Sequence, residues 1–222
     1  MICDYRTCRQ GGWADCWMLS ALVGLGFHRP DELAAMVVPL DDGSFNIRLP
    51  GKPTVNVRPD QGGGTVSEGG WVAAVESAAL QFTNASADRV LSFGEGITLL
   101  TGSGRTGYTN ATGVGFAPLT RFRRRREWFE NRVHQAAENH RVMVLGGSDG
   151  YWTDVKVDGL INRHCYALLQ FEPEHGTCRI RDPRGYDDAI PQGRKRDGYG
   201  PGEFWLTSEE TEASFCGLSI ED

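Results

Sequence analysis

The stretch QGGWADCWMLSAL, residues 10–22, sets two glycines and an Asp-Cys-Trp triplet ahead of an apolar run that continues to Phe27. An unbroken run of this kind predicts a helix buried on all sides. Cys16 stands at its opening. A cysteine there is either a small hydrophobe or a nucleophile whose thiol the helix N-terminus activates. The second reading needs a base and an orienting group from elsewhere in the chain.

The chain has 222 residues, enough for one large domain or two small lobes around a real core. It is 40% hydrophobic and 23% charged, a globular composition, and its 29 glycines imply many turns. The net charge of −6 argues against nucleic acid as a partner, because phosphate binding wants a basic surface. Arg123 to Arg126 interrupt that balance, but beside Glu127 and Glu130 they read as the solvated start of a helix. No apolar stretch reaches the roughly 18–20 residues of a membrane span. The start, MICDYRTCRQ, lacks the basic-then-apolar pattern of a signal peptide, so the chain is expected to be cytoplasmic or delivered as a domain of a larger protein. Six scattered cysteines, none in a CxxC pair, read as free thiols rather than a zinc site.

Periodicity places further elements. HRPDELAAMVV reads as a turn and short helix, GSFNIRLPGKPTVNVRPD as a strand pair about a Pro-Gly turn, and WVAAVESAALQF as an amphipathic helix. From Ser92 to Gly115 no period holds. GSGRTG at 102–107 matches GxGxxG, but loop rather than helix follows it, which removes the nucleotide reading. The segment from Arg121 to Arg141 predicts a helix with Phe122, Phe129, Val133, Ala136 and His140 on one face. His134 and His140 are wrongly spaced to share a metal on that helix. Strands follow at VMVLGG, WTDVKV, HCYALLQF, CRIRDP and GEFWLT, then a short helix and a terminal strand.

Among the five histidines, His164 enters a strand that offers its ring a rigid base. One hairpin later comes RIRDPRG. In an antiparallel pair about the PEHG turn, Asp182 lies near His164, where a carboxylate orients the ring and favours its charged form. The Cys16 N–H and the Gln10 side-chain amide are the candidate donors to an oxyanion. The catalytic candidates are therefore Cys16, His164 and Asp182.

With these residues in place, the sequence resembles the calpain family of papain-fold cysteine proteases. QGGWADCW (10–17) is similar to that family's Q-G-x-x-x-D-C-W, RHCYALL to its Gly-His-Ala-Tyr segment, and RIRDPRG to its Arg-Asn-Pro-Trp-Gly segment. WVAAVESAAL and GEFWLT resemble two further family stretches, so the likeness runs in order from Gln10 to about Glu221. It implies an α+β, papain-like two-lobed core. Residues 1–115 would form a helical lobe with Gln10 and Cys16. Residues 116–222 would form a β-rich lobe, an antiparallel sheet or barrel, with His164 and Asp182 across a cleft. Gly113, Gly115, Arg163 and Arg184 would line that cleft and hold an extended protein or peptide substrate by its backbone.

Three departures stand out. Asp182 replaces the family's asparagine, Arg184 its tryptophan, and Arg163 the glycine before the histidine. Loss of the tryptophan predicts a wetter His164–Asp182 bond unless something else covers it. The family binds calcium in both lobes, so the resemblance keeps calcium open as a ligand here, although no matching acidic residues are identifiable; no other cofactor is expected. The function implied is a calpain-like thiol endopeptidase. The alternatives are deamidase, transglutaminase or other acyl-transfer chemistry at the same site, or a silent binding module on the same fold. A toxin or effector domain with an inhibitor or immunity partner fits the compact form.

Overall fold

The computed structural model describes residues 3–59, 67, 69–83, 92–109, 119–147 and 157–222. In chain order they form helices α1 (Cys16–His28) and α2 (Pro30–Met36), strands β1 (Val37–Pro39), β2 (Phe45–Ile47) and β3 (Val55–Val57), and helices α3 (Gly70–Phe82) and α4 (Glu95–Thr101). Strand β4 (Arg105–Thr109), helix α5 (Leu119–Glu138) and strands β5 (Met143–Gly147), β6 (Cys165–Glu172), β7 (Thr177–Arg181) and β8 (Glu203–Thr207) follow. Helix α6 (Ser208–Ser214) and strand β9 (Phe215–Glu221) close the chain. The fold is α+β. One antiparallel sheet has the order β1-β2-β3, the other β4-β9-β5-β6-β7-β8.

Helix α1 behaves as its sequence demands. Every residue from Cys16 to Gly26 is buried, because apolar side chains surround the axis and leave no polar face. It lies on one face of the larger sheet, where Val144 of β5 and Cys165, Ala167 and Leu169 of β6 join its core. The intervening residues, Met143, Leu145, Tyr166 and Leu168, point the other way and pack with Phe129, Val133 and Ala136 of α5. Alternation along two strands thus divides the protein into two cores, one on each face of the sheet. A register shift between Leu168 and Gln170 reverses the phase, so that Phe171 joins the α5 side.

Helix α4 crosses α1 closely: a Cβ on Gly96 would collide with the Trp17 carbonyl oxygen. Both α4 and β4 fall in the stretch that periodicity left as loop. Strand β4 pairs with β9, Arg105 facing Glu221, so the edge of the large sheet comes from the first half of the chain. The strand expected at WTDVKV lies outside the described residues except for Val157, as does the side chain of Phe122. His140 does not extend the α5 face. It stands beyond the helix end in a left-handed conformation, φ 54°. All six cysteines are free thiols. Among the described residues no helix is long and apolar enough to cross a membrane.

Candidate active site

Cys16 is the first residue of α1 and Asp15 its N-cap. The Asp15 carbonyl accepts from the N–H groups of Met18 and Leu19 at 2.9 and 3.0 Å, which closes the first turn. The Cys16 sulfur therefore sits at the positive end of a buried helix, and its own N–H has no acceptor within the helix. The Asp15 side chain does no capping. It turns inward to Glu76 of α3. Counted as a bare carboxylate, Asp15 finds no donor for either oxygen among the described residues. A proton held on it makes the contact with Glu76 a hydrogen bond, and burial followed by that bond pushes its carboxyl up to about 10. Glu76 in turn accepts from the Ser67 N–H at 3.1 Å and hydroxyl at 3.0 Å.

His164 directly precedes β6. Its carbonyl accepts from the Gly147 N–H at 2.7 Å, and a Cβ at position 147 would approach that same oxygen to 2.6 Å. A glycine is therefore required where β5 passes the histidine backbone. Tyr166, two residues on and on the same side of the strand, stacks edge-on against the ring at 4.9 Å between centroids. The β6–β7 register sets Ala167 opposite Arg181, so Asp182 comes level with Tyr166 and beside His164. His164 Nε2 and Asp182 Oδ1 are 2.9 Å apart, which leaves Nδ1 for the Cys16 sulfur.

The expected wet bond is instead dry, with Asp182 fully buried and His164 only 8% exposed. Arg184 supplies the cover that the tryptophan would have given. Its N–H donates to Asp182 Oδ1 at 2.8 Å, and Nε and Nη2 donate to Oδ2 at 3.2 and 3.1 Å. The two departures compensate each other: an added carboxylate is met by an added guanidinium.

Gln10 reaches the same corner by its backbone, donating to the Pro183 carbonyl at 2.9 Å. Its side-chain Nε2 donates to the Trp13 carbonyl at 2.7 Å, which commits one of the two amide hydrogens to the loop itself. Gly185, at φ 69°, lets the chain pass, since a Cβ there would meet the Cys8 carbonyl oxygen at 2.7 Å. Arg163 is exposed and holds a left-handed φ of 57°, the conformation that the family's glycine would adopt freely. Gly113 and Gly115 lie outside the described residues.

Two contributors escaped sequence reasoning. One is the Asp15–Glu76 pair. The other is Cys165, whose thiol is hydrogen-bonded to the Cys16 sulfur. The only available signal for the second was its place next to His164, on the strand that carries the ring.

The electrostatics follow from this geometry. The hydrogen bond from Cys165, opposed by burial and reinforced by the hydrogen bond and charge of His164, lowers the Cys16 thiol to about 5. Burial alone would push the His164 ring down, but the hydrogen bonds and charges of Asp182 and Cys16 override it and raise the ring to about 9. Burial likewise opposes ionisation of Asp182, yet the His164 contact and then Arg184 hold its carboxyl below the usual range. Between those limits the favoured state is thiolate beside imidazolium. That is the charge distribution a sulfur nucleophile needs at neutral pH.

Among the described residues no cluster of three or more His, Cys, Asp or Glu side chains is arranged to hold a metal ion. Compared with protein-family models and with curated proteins, the sequence matches none.

Proposed function

We propose that the chain is a calpain-like cysteine endopeptidase on a papain-like two-lobed core. The observation that carries this reading is one contiguous chain of contacts: a buried thiol at the first turn of α1, the His164 ring beside it, and a fully buried carboxylate 2.9 Å from that ring.

In this reading the Cys16 thiolate attacks the carbonyl carbon of an extended peptide. The Cys16 N–H and the second amide hydrogen of Gln10 stabilise the oxyanion, each such donor contributing on the order of 3 kcal/mol. His164 gives its proton to the leaving amine. The neutral ring, oriented by Asp182, then takes a proton from the water that opens the acyl-enzyme. Arg184 stabilises the Asp182 charge.

The test is digestion of an unfolded protein substrate by the chain and by Cys16→Ala, with a thiol-directed electrophile as label. Turnover should drop by at least about a thousandfold in the variant, and the label should be lost from that position. Retained cleavage with the label on another cysteine overturns the assignment. Conversion of substrate glutamines without chain cleavage would replace peptidase by side-chain amide chemistry at the same thiol.

A further inference from the structure

Cys16 is not the only thiol at its site. Cys165 is the first residue of β6, and alternation turns its side chain toward α1 rather than toward α5, into the same core cluster as Cys16. The two sulfurs are in hydrogen-bond contact. Both residues are buried, Cys16 at 4% and Cys165 at 6% exposure, so a bulky thiol has little access to either. A third thiol lies across the neighbouring strand. Gly146 of β5 pairs with Cys165, and the Cys216 Sγ donates to the carbonyls of Gly146 and Gly147 at 3.3 and 3.0 Å. Cys216 is half-buried.

A nucleophile of this character is also the first group that a peroxide oxidises. Unprotected, it passes through the sulfenic acid to sulfinic and sulfonic acids, which common thiol reductants do not reverse. A second thiol in contact with the first changes the outcome.

We infer that Cys16 and Cys165 form a peroxide-reactive dithiol site, in which Cys165 traps oxidised Cys16 as a reversible disulfide. The Cys16 thiolate attacks one peroxide oxygen, the O–O bond breaks, and the departing hydroxide takes the proton of the His164 imidazolium and leaves as water. Cys16 is then a sulfenic acid. The Cys165 sulfur attacks the Cys16 sulfur, the S–S bond forms as the S–O bond breaks, and the hydroxide leaves with the Cys165 proton as a second water. Two electrons pass from the sulfurs to one peroxide. A dithiol reductant returns both sulfurs to thiols and itself becomes a disulfide. The protein thereby keeps its nucleophile through oxidation at the cost of temporary silence.

The inference deepens the reading of Cys16 as nucleophile, but its readout is independent of peptidase activity. Wild type, Cys165→Ala, Cys165→Ser and Cys216→Ser are treated with hydrogen peroxide and then with dithiothreitol. Intact mass, peptide mapping and electrophile labelling of Cys16 follow each step. Wild type and Cys216→Ser should become lighter by about 2 Da with a mapped Cys16–Cys165 linkage. They should recover at least about ten times more Cys16 labelling after reduction than either position-165 variant. Those variants should instead gain about 32 Da at Cys16 and stay unlabelled. Alanine stands at this position in the family segment that RHCYALL resembles, and serine keeps the volume and a donor, so one of the two is expected to fold. A sulfinic Cys16 in wild type, or a linkage to any other cysteine, overturns the inference. If the linkage forms but no substrate is cleaved, the peptidase reading fails and the dithiol site stands.

Discussion

At the scale of residues, Asp182 governs the ring. The sequence showed that this position holds a carboxylate where the related pattern has an amide, and alternation along the hairpin was enough to bring it beside His164. What the sequence could not show was Arg184 turning back over it, because a three-residue turn has no periodicity from which to read a side-chain direction. Asp182→Asn keeps the hydrogen bond to Nε2 and removes the charge that raises His164 above its usual 6.5. The basic limb of the pH–rate profile, near about 9 in the wild type, should then fall by about one unit or more. Near pH 5 the ring of the variant is still protonated, so the acid limb, near about 5, should hold and the bell should narrow from the basic side alone. A basic limb that stays in place would mean that the carboxylate does not set the ring's charge.

At the scale of elements, the legible parts were those that carry their own period. Helix α1 is an apolar run, α3 and α5 show stripes, and β6 with β7 alternates about a turn. Helix α4 and strand β4 were illegible because GEGITLLT and RTGYT are short and lie among glycines. Strand β4 is fixed by pairing with β9, more than a hundred residues away, rather than by its own composition. The Asp15–Glu76 contact was hidden for the same reason, since it joins α1 to α3 only in the fold. It has a consequence for pH. Asp15 is raised to about 10 in the folded protein, against about 3.9 in an unfolded chain, so folding takes up a proton between those limits. Its contribution to stability is complete below the unfolded value and declines as pH rises toward the folded one. Asp15→Asn donates to Glu76 with no proton to acquire. Its unfolding free energy from urea titration, relative to wild type, should therefore climb steadily from pH 5 to pH 9, by at most about 1.4 kcal/mol per unit. A difference that is flat with pH would show that Asp15 is ionised beside Cys16.

At the scale of the whole molecule, the site depends on how the first residues of the chain return to the far end of the large sheet. This return was not legible beforehand, because a ten-residue segment without period cannot announce a partner some 170 residues away. Tyr5 donates to Glu203 at 3.1 Å, and Arg179 holds that same carboxylate from β7. Arg181, fully buried at the end of β7, gives Nη2 to the carbonyls of Arg6 and Cys8 at 3.1 and 2.9 Å and Nε to that of Pro201 at 3.2 Å. One guanidinium thus fixes the segment that carries Gln10 to the strand that leads into Asp182. Planar donors in a fixed fork suit three carbonyls arranged around one point, and neither a lysine nor an apolar residue reproduces them. Arg181→Met fills much of the volume and leaves three carbonyl acceptors unpaired, that of Cys8 buried and those of Arg6 and Pro201 within reach of water. At about 1–3 kcal/mol for the buried acceptor and less for the other two, the loss should be at least about 1 kcal/mol. The loss should not be spread evenly. Amide hydrogen exchange should quicken most at residues 5–10 and least along α5, whose core lies on the opposite face of the sheet. If the variant holds its turnover while residues 5–10 exchange freely, then Gln10 contributes nothing to the oxyanion, and the Cys16 N–H at the start of α1 must stabilise it alone.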